Sequence, residues 1–219
     1  MLKTTFKLRY QWCLEKKNWS FDKWATVIFS DESNFQLINR KNTPLVRRFK
    51  DEKYEPRFIQ QRVQAGGGSI GIWGCISMRG TGVSKIYSGR MDQYLYIDTL
   101  ENELMPSVEL LVDSDHHWIF QQDNAPCHKS KVVKEYFGEN HINVMPWPAR
   151  SPDLNPIEHV WNLIDKNLSG QRLSNLAELE LAIVKEWNEV EVSVCASLIE
   201  SMQRRIGLCL EAKGGHFEY

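Results

Sequence analysis

Two apolar runs in this chain stop abruptly at an acid, and they constrain the fold more than any other feature. Thr26-Val27-Ile28-Phe29 is short, β-branched and apolar, and it gives way to Ser30-Asp31-Glu32-Ser33. Trp118-Ile119-Phe120-Gln121-Gln122 behaves in the same way and ends at Asp123. Runs this short, bounded by turn-forming residues, read as strands. If the two strands are neighbours in one sheet, Asp31 and Asp123 project from the same edge. Ligand sites in open α/β sheets gather at that carboxyl edge.

The remaining pattern supplies the layers around such a sheet. Residues 6–18 read as an amphipathic helix with Leu8, Trp12 and Cys13 on its apolar side. A further strand is expected at 34–38. Residues 39–65 hold many charges, two prolines and the core Arg47-Arg48-Phe49-Lys50, with no sustained helical period. They read as a long excursion, and loops of this length usually carry a function. Gly66-Gly67-Gly68-Ser69 lacks the GK[ST] ending of a phosphate loop and precedes a strand at 70–76, so the glycines predict a tight turn or close backbone approach. After a turn at 80–82, another strand is expected at 83–87. A helix over 92–109 would place Tyr94, Ile97, Leu100, Leu104 and Met105 inward. A helix at 129–137, a strand at 142–145 and a helix opened by Pro156 follow. That last helix carries the stripe Ile157, Val160, Trp161, Ile164 and Leu168. Two closing helices would bury Leu176, Leu179, Ile183 and Trp187, then Leu198, Ile199, Met202 and Ile206. The order describes an α/β fold, a mixed sheet with helices on both faces.

Composition narrows the functional classes. With 219 residues, 42% of them apolar and 25% charged, the chain fits one soluble globular domain. No apolar run reaches membrane-spanning length, and no signal peptide opens the chain. Five scattered cysteines without a CxxC pair argue against a disulfide scaffold or a zinc finger. Cys127, His116, His117 and His128 match no standard zinc spacing. The net charge of -1 averages two unlike regions: residues 1–62 hold 14 Lys/Arg against 7 Asp/Glu, leaving 13 against 21 in the rest. A basic front can be a nucleic-acid surface or a solvated helix and loop. Residues 92–115 hold seven acids and no Lys or Arg, a face expected to avoid DNA.

Glu158 joins the two strand-end aspartates as a third candidate. It opens a helix after a proline-rich loop that could return the chain to the same edge. Three converging carboxylates make an oxygen-only site that suits magnesium or manganese and is too hard for zinc. Each acid also has a purely structural reading. Asp31 could cap a turn, and Asp123-Asn124-Ala125-Pro126 could form an Asx-turn. With Asn155 as N-cap and Pro156 first in the helix, Glu158 falls at the capping-box position. Glu32 could replace Asp31, although strand alternation sends the two side chains to opposite faces. Asp153 could replace Glu158 from the same loop. His128 could orient water, contact phosphate or cap the next helix.

Four stretches in order resemble one family: FSDESNF at 29–35, GGGSI with WGC at 66–75, QQDNAPCH at 121–128 and WPARSPDLNPIEHVWNLI at 147–164. Together they resemble the catalytic domain of mariner-type cut-and-paste DNA transposases, in the nematode-type and fish-type branch. The 34 residues between Asp123 and Glu158 agree with that branch. The resemblance implies a ribonuclease-H-like fold over residues 26–219, preceded by a helix and linker remnant at 1–25. It implies that Asp31, Asp123 and Glu158 hold two magnesium ions, with manganese as substitute. It further implies hydrolysis at transposon ends, joining of the freed 3′-hydroxyl to target DNA, double-stranded DNA as partner, a homodimer on DNA and work in the nucleus. Residues 39–65 would be a clamp reaching the partner subunit. Arg47, Arg48, Lys50, His128 and Lys129 become candidates for DNA or partner contact. Family members carry two helix-turn-helix modules before this domain, and the roughly 25 residues before the first strand cannot hold them. Specific end recognition is therefore not expected of this chain. A transposase-derived binding protein that no longer uses its chemistry is the alternative reading.

Overall fold

The first strand begins where the apolar run begins but does not stop at the acids. β1 spans Val27–Gln36 without interruption, joining the two strands expected at 26–29 and 34–38. Turn-forming residues at 30–33 stay extended because each pairs with the neighbouring strand, with Asp31 opposite Gly74 and Glu32 opposite Trp73. Tertiary pairing overrides local preference here. The computed structural model describes residues 2–37, 68–113 and 117–218. The excursion expected at 39–65, with Arg47, Arg48 and Lys50, lies outside the described residues.

Among the described residues β1 is the axis of a five-stranded mixed sheet. On one side it pairs antiparallel with β2 (Ser69–Ser77), which also pairs with β3 (Gly80–Thr81) and β4 (Lys85–Tyr87). On the other side it pairs parallel with β5 (Ile119–Gln121). The strand expected at 142–145 contributes only a parallel bridge from Val144 to Phe120. Gly68, just before β2, comes close to the Leu176 side chain of the helix Leu176–Asn188. A Cβ there would lie 2.6 Å from the Leu176 side chain.

Side-chain alternation along β1 divides two cores. Val27, Phe29 and Phe35 face one layer, and Ile28 faces the other. The first layer contains α1 (Leu2–Lys16), α2 (Phe21–Ala25), α6 (Ile157–Ser169), α7 (Leu176–Asn188), α8 (Val192–Glu200) and α9 (Met202–Glu211). The second contains α3 (Gln93–Thr99), α4 (Met105–Leu111) and α5 (Lys131–Glu139). The expected stripe of α6 is buried in full, and Trp161 stacks on Trp187 at 5.0 Å. Each such side chain contributes roughly 1.5–3 kcal/mol.

Three helical readings change. The helix expected at 92–109 contains a π-helical turn at Leu100–Leu104 between α3 and α4. Its buried apolar residues are Tyr96, Leu100, Leu104 and Leu111, with the expected Ile97 and Met105 partly buried against the same core, while Tyr94 is 67% exposed. Asp92 fixes the start by accepting from the Tyr94 and Leu95 N–H groups, and α3 from there turns Tyr96, not Tyr94, inward. The final helix is two, α8 and α9, either side of Ser201. In α1, Leu8 is exposed and the neighbouring Arg9 is fully buried.

Arg9 is inward because acceptors from distant parts of the chain converge on it. Its guanidinium grips both Asp153 carboxylate oxygens at 2.7 and 2.6 Å. It also donates to the carbonyls of Arg150, Gly214 and Gly215. Gly214 makes this possible: it has φ +82, and a Cβ there would lie 2.0 Å from the Phe6 carbonyl oxygen. Arg9→Met should lower stability by about 3–5 kcal/mol, because Asp153 keeps a buried charge without its partner. Urea unfolding measures this, and a loss below about 1 kcal/mol would show the pair to be dispensable.

Candidate active site

The sheet brings the first two acids together through register. Phe29 lies opposite Gln121 in the parallel β1–β5 pair. Continuing two residues further along each strand brings Asp31 level with Asp123. Glu158 arrives from the first turn of α6. All three line one cleft of about 290 Å³, with Asn124, Trp147, Arg150 and Asn155.

Each carboxylate is held by a different local device. Asp31 Oδ2 accepts from Trp161 Nε1 at 3.1 Å, so α6 anchors β1 as well as carrying Glu158. Asp123 Oδ1 accepts from Ala125 N–H at 2.8 Å, which is the Asx-turn that the sequence allowed. The same oxygen meets His128 Nδ1 at 2.7 Å. Among the described residues Oδ2 of Asp123 has no hydrogen-bond partner. Glu158 does not close a capping box. The first-turn cap is Pro156, with no side-chain cap bond, and Asn155 turns its amide to the Ser30 carbonyl instead, at 3.3 Å. The expected N-cap therefore ties α6 to β1 through its amide N–H instead of capping the helix through Oδ1.

The electrostatics are those of crowded anions. Burial, then the charges of Glu158, Glu32 and Asp123, hold the Asp31 carboxyl well above the usual carboxylate range. Burial also raises Glu158. For Asp123 burial acts upward, but the hydrogen bonds from His128 and Ala125 and the charges of His128 and Lys129 outweigh it and hold the group low. Among the described residues no cation pairs with Asp31 or Glu158. An all-oxygen cluster that penalises its own ionisation fits a hard divalent cation.

Glu32 takes the other face of β1, as alternation requires. Its Oε1 lies 3.2 Å from His128 Nε2. Glu32, Asp123 and His128 place one donor atom each within 4.8 Å of one another. Burial alone would lower the imidazole, but the hydrogen bond with Asp123 and the charges of Glu32 and Asp123 push it up to about 10. His128 is 3% exposed and stacks on Tyr96 with ring centroids 3.9 Å apart. It does not line the cleft of the three acids, so it is not placed for direct contact with a substrate there. Lys129 is exposed beside it. Asp153, weighed as a replacement for Glu158, is committed to Arg9. Sequence reasoning missed the anchoring roles of Trp161, Asn155 and Tyr96. The only available signal was the helical spacing of Trp161 from Glu158 and the parity of Glu32.

Comparison with known proteins agrees with this geometry. Residues 26–180 match the family described as DDE superfamily endonuclease. The chain is 37% identical over 213 residues to the Tcb1 transposable-element transposase of Caenorhabditis briggsae, covering 97% of this chain and 77% of that protein. It is similar in fold to the Mos1 transposase catalytic domain solved with raltegravir and magnesium, with TM-score 0.78 and 17% identity over 99% of this chain and 98% of that one. It is also similar to the Mos1 mariner paired end complex with manganese, with TM-score 0.81 and 19% identity over 98% of this chain and 64% of that one. The mixed sheet with helices on both faces is thus the ribonuclease-H-like fold of these catalytic domains. With three acids on one sheet edge and a relative this similar along nearly all its length, the chain belongs to the DDE superfamily of endonucleases, among the Tc1/mariner-type transposases.

Proposed function

We propose that this chain is the catalytic domain of a DNA transposase, which hydrolyses phosphodiesters at transposon ends and joins the freed 3′-hydroxyl to target DNA. The observation that carries the reading is the meeting of Asp31, Asp123 and Glu158 in one cleft from three separate elements. These three residues would hold two magnesium ions, or manganese in their place. When bound, the ions would supply charge neutralisation to the attacking and leaving oxygens of an in-line displacement.

The protein's part is positioning. Trp161 fixes one oxygen of Asp31, and Ala125 and His128 fix one of Asp123. The other oxygens are thereby presented to the cleft in set directions. Trp147 and Ala149 form its wall, and the exposed Arg150 stands at the rim where a phosphate would arrive. Double-stranded DNA is the proposed substrate, bound by a homodimer that brings two ends together, as a paired end complex implies. Arg47, Arg48 and Lys50, within a clamp-like segment at 39–65, and Lys129 are proposed phosphate or partner contacts, and such contacts weaken with salt. In this scheme residues 1–25 lead into the catalytic domain at 26–219. Chromosomal DNA as target places the work in the nucleus. Among the described residues no helix is long and apolar enough to cross a membrane.

Two outcomes follow, of opposite sign. Asp31→Asn, Asp123→Asn and Glu158→Gln should each lose metal-dependent nicking and strand joining on pre-cleaved ends by at least about 10²–10³-fold. Wild-type rates in all three would overturn the assignment. Meanwhile Asp31→Asn should melt at a higher temperature than wild type at neutral pH with a chelator present. The folded Asp31 carboxyl binds its proton more tightly than the unfolded one, so ionising it costs stability as pH rises above the ordinary value of about 3.9. The advantage of the variant should fade as pH falls towards that value, which thermal melts across pH will read.

A further inference from the structure

His128 is gripped from several sides, and every grip leads to the active-site edge. Nδ1 meets Asp123 Oδ1 at 2.7 Å. Nε2 forms a close ion pair with Glu32 Oε1 at 3.2 Å, at an angle short of a hydrogen bond. The ring lies on Tyr96 with planes 30° apart. The Tyr96 hydroxyl donates to Gln122 Oε1, and Gln122 Nε2 donates back to the His128 carbonyl at 3.5 Å. Tyr96 and His128 are both buried.

Resting on the assignment of Asp123 above, we propose that Glu32, His128 and Tyr96 form a clamp that positions the Asp123 carboxylate and turns its second oxygen into the cleft. Glu32 follows Asp31 directly but points to the opposite face, so the clamp also sets the spacing between the strand carrying one acid and the loop carrying the other. The same three donor groups could instead hold a metal ion themselves. Their arrangement opposes this: each carboxylate takes a different ring nitrogen, and these point in divergent directions. A shared ion would need one nitrogen turned to both acids. His128 and Glu32 are therefore positioning residues, and neither touches the reacting atoms.

Manganese binding to the whole chain tests this, read by calorimetry and by pulsed electron paramagnetic resonance. The nearly isosteric Glu32→Gln should weaken manganese affinity about 10-fold and His128→Ala about 10–100-fold, the range for partners that orient a ligating group. Asp123→Asn should weaken it further. Wild-type protein should show no directly bonded nitrogen in the manganese spectrum. A directly bonded nitrogen would overturn the clamp in favour of a histidine ligand, as would unchanged affinity in Glu32→Gln. If His128→Ala fails to fold, Glu32→Gln and Tyr96→Phe decide, with melting temperature recorded beside affinity to separate lost positioning from lost stability. Unchanged affinity in Asp123→Asn would overturn the assignment of Asp123 itself, a distinct failure.

Discussion

Arg9 is a charged side chain with no exposed surface, and most of the active-site loop is arranged around it. Its two bonds to Asp153 fix the short 3-10 turn at Pro152–Leu154, directly before Asn155 and α6. Its bond to the Arg150 carbonyl holds a residue with φ 58 at the rim of the cleft. Arg205 of α9 adds a bond to the Asp153 carbonyl at 2.8 Å. The position from which Glu158 approaches Asp31 is thus set from outside the cleft. Burying such a pair brings little net stability compared with apolar packing. Its value lies in permitting one loop path and leaving other paths with an unpaired charge.

The parts of the site that follow from periodicity were legible in the amino-acid sequence. The strand runs before Asp31 and Asp123 needed only short apolar segments, and the stripe of α6 only the period of 3.6; Asp31 and Glu158 sit on those elements, and Asp123 lies two residues past β5. Features that depend on a distant partner were not legible. Arg9 reads as a solvated helix residue until Asp153 is known to lie beside it. Asn155 has the chemistry of a helix cap, and only the Ser30 carbonyl diverts it. The polar run at 30–33 looks like a turn when β2 is out of sight. His128 invited several readings because one of its two carboxylates, Glu32, lies 96 positions away while the other, Asp123, lies five away. Each miss substitutes a local preference for a long-range contact.

Strand parity organises the chemistry further. Asp31 and Glu32 are adjacent, yet one enters the cleft and the other ion-pairs with His128 in the opposite layer. The strand therefore feeds negative charge to both faces of the sheet at one point. Burial and the neighbouring Glu158 hold Asp31 high, while the bonds from His128 and Ala125 hold Asp123 low. A carboxylate that stays ionised and two that resist ionisation give a site with graded demand for positive charge.

The bonds from Arg9 to Gly214 and Gly215 span almost the whole chain. The loop ahead of Glu158 therefore cannot settle until the segment at Gly214 and Gly215 has docked against α1. Contacts of such separation in sequence form slowly, and a domain gains them as a unit. A partly folded domain would therefore carry all three acids before it carried a formed site.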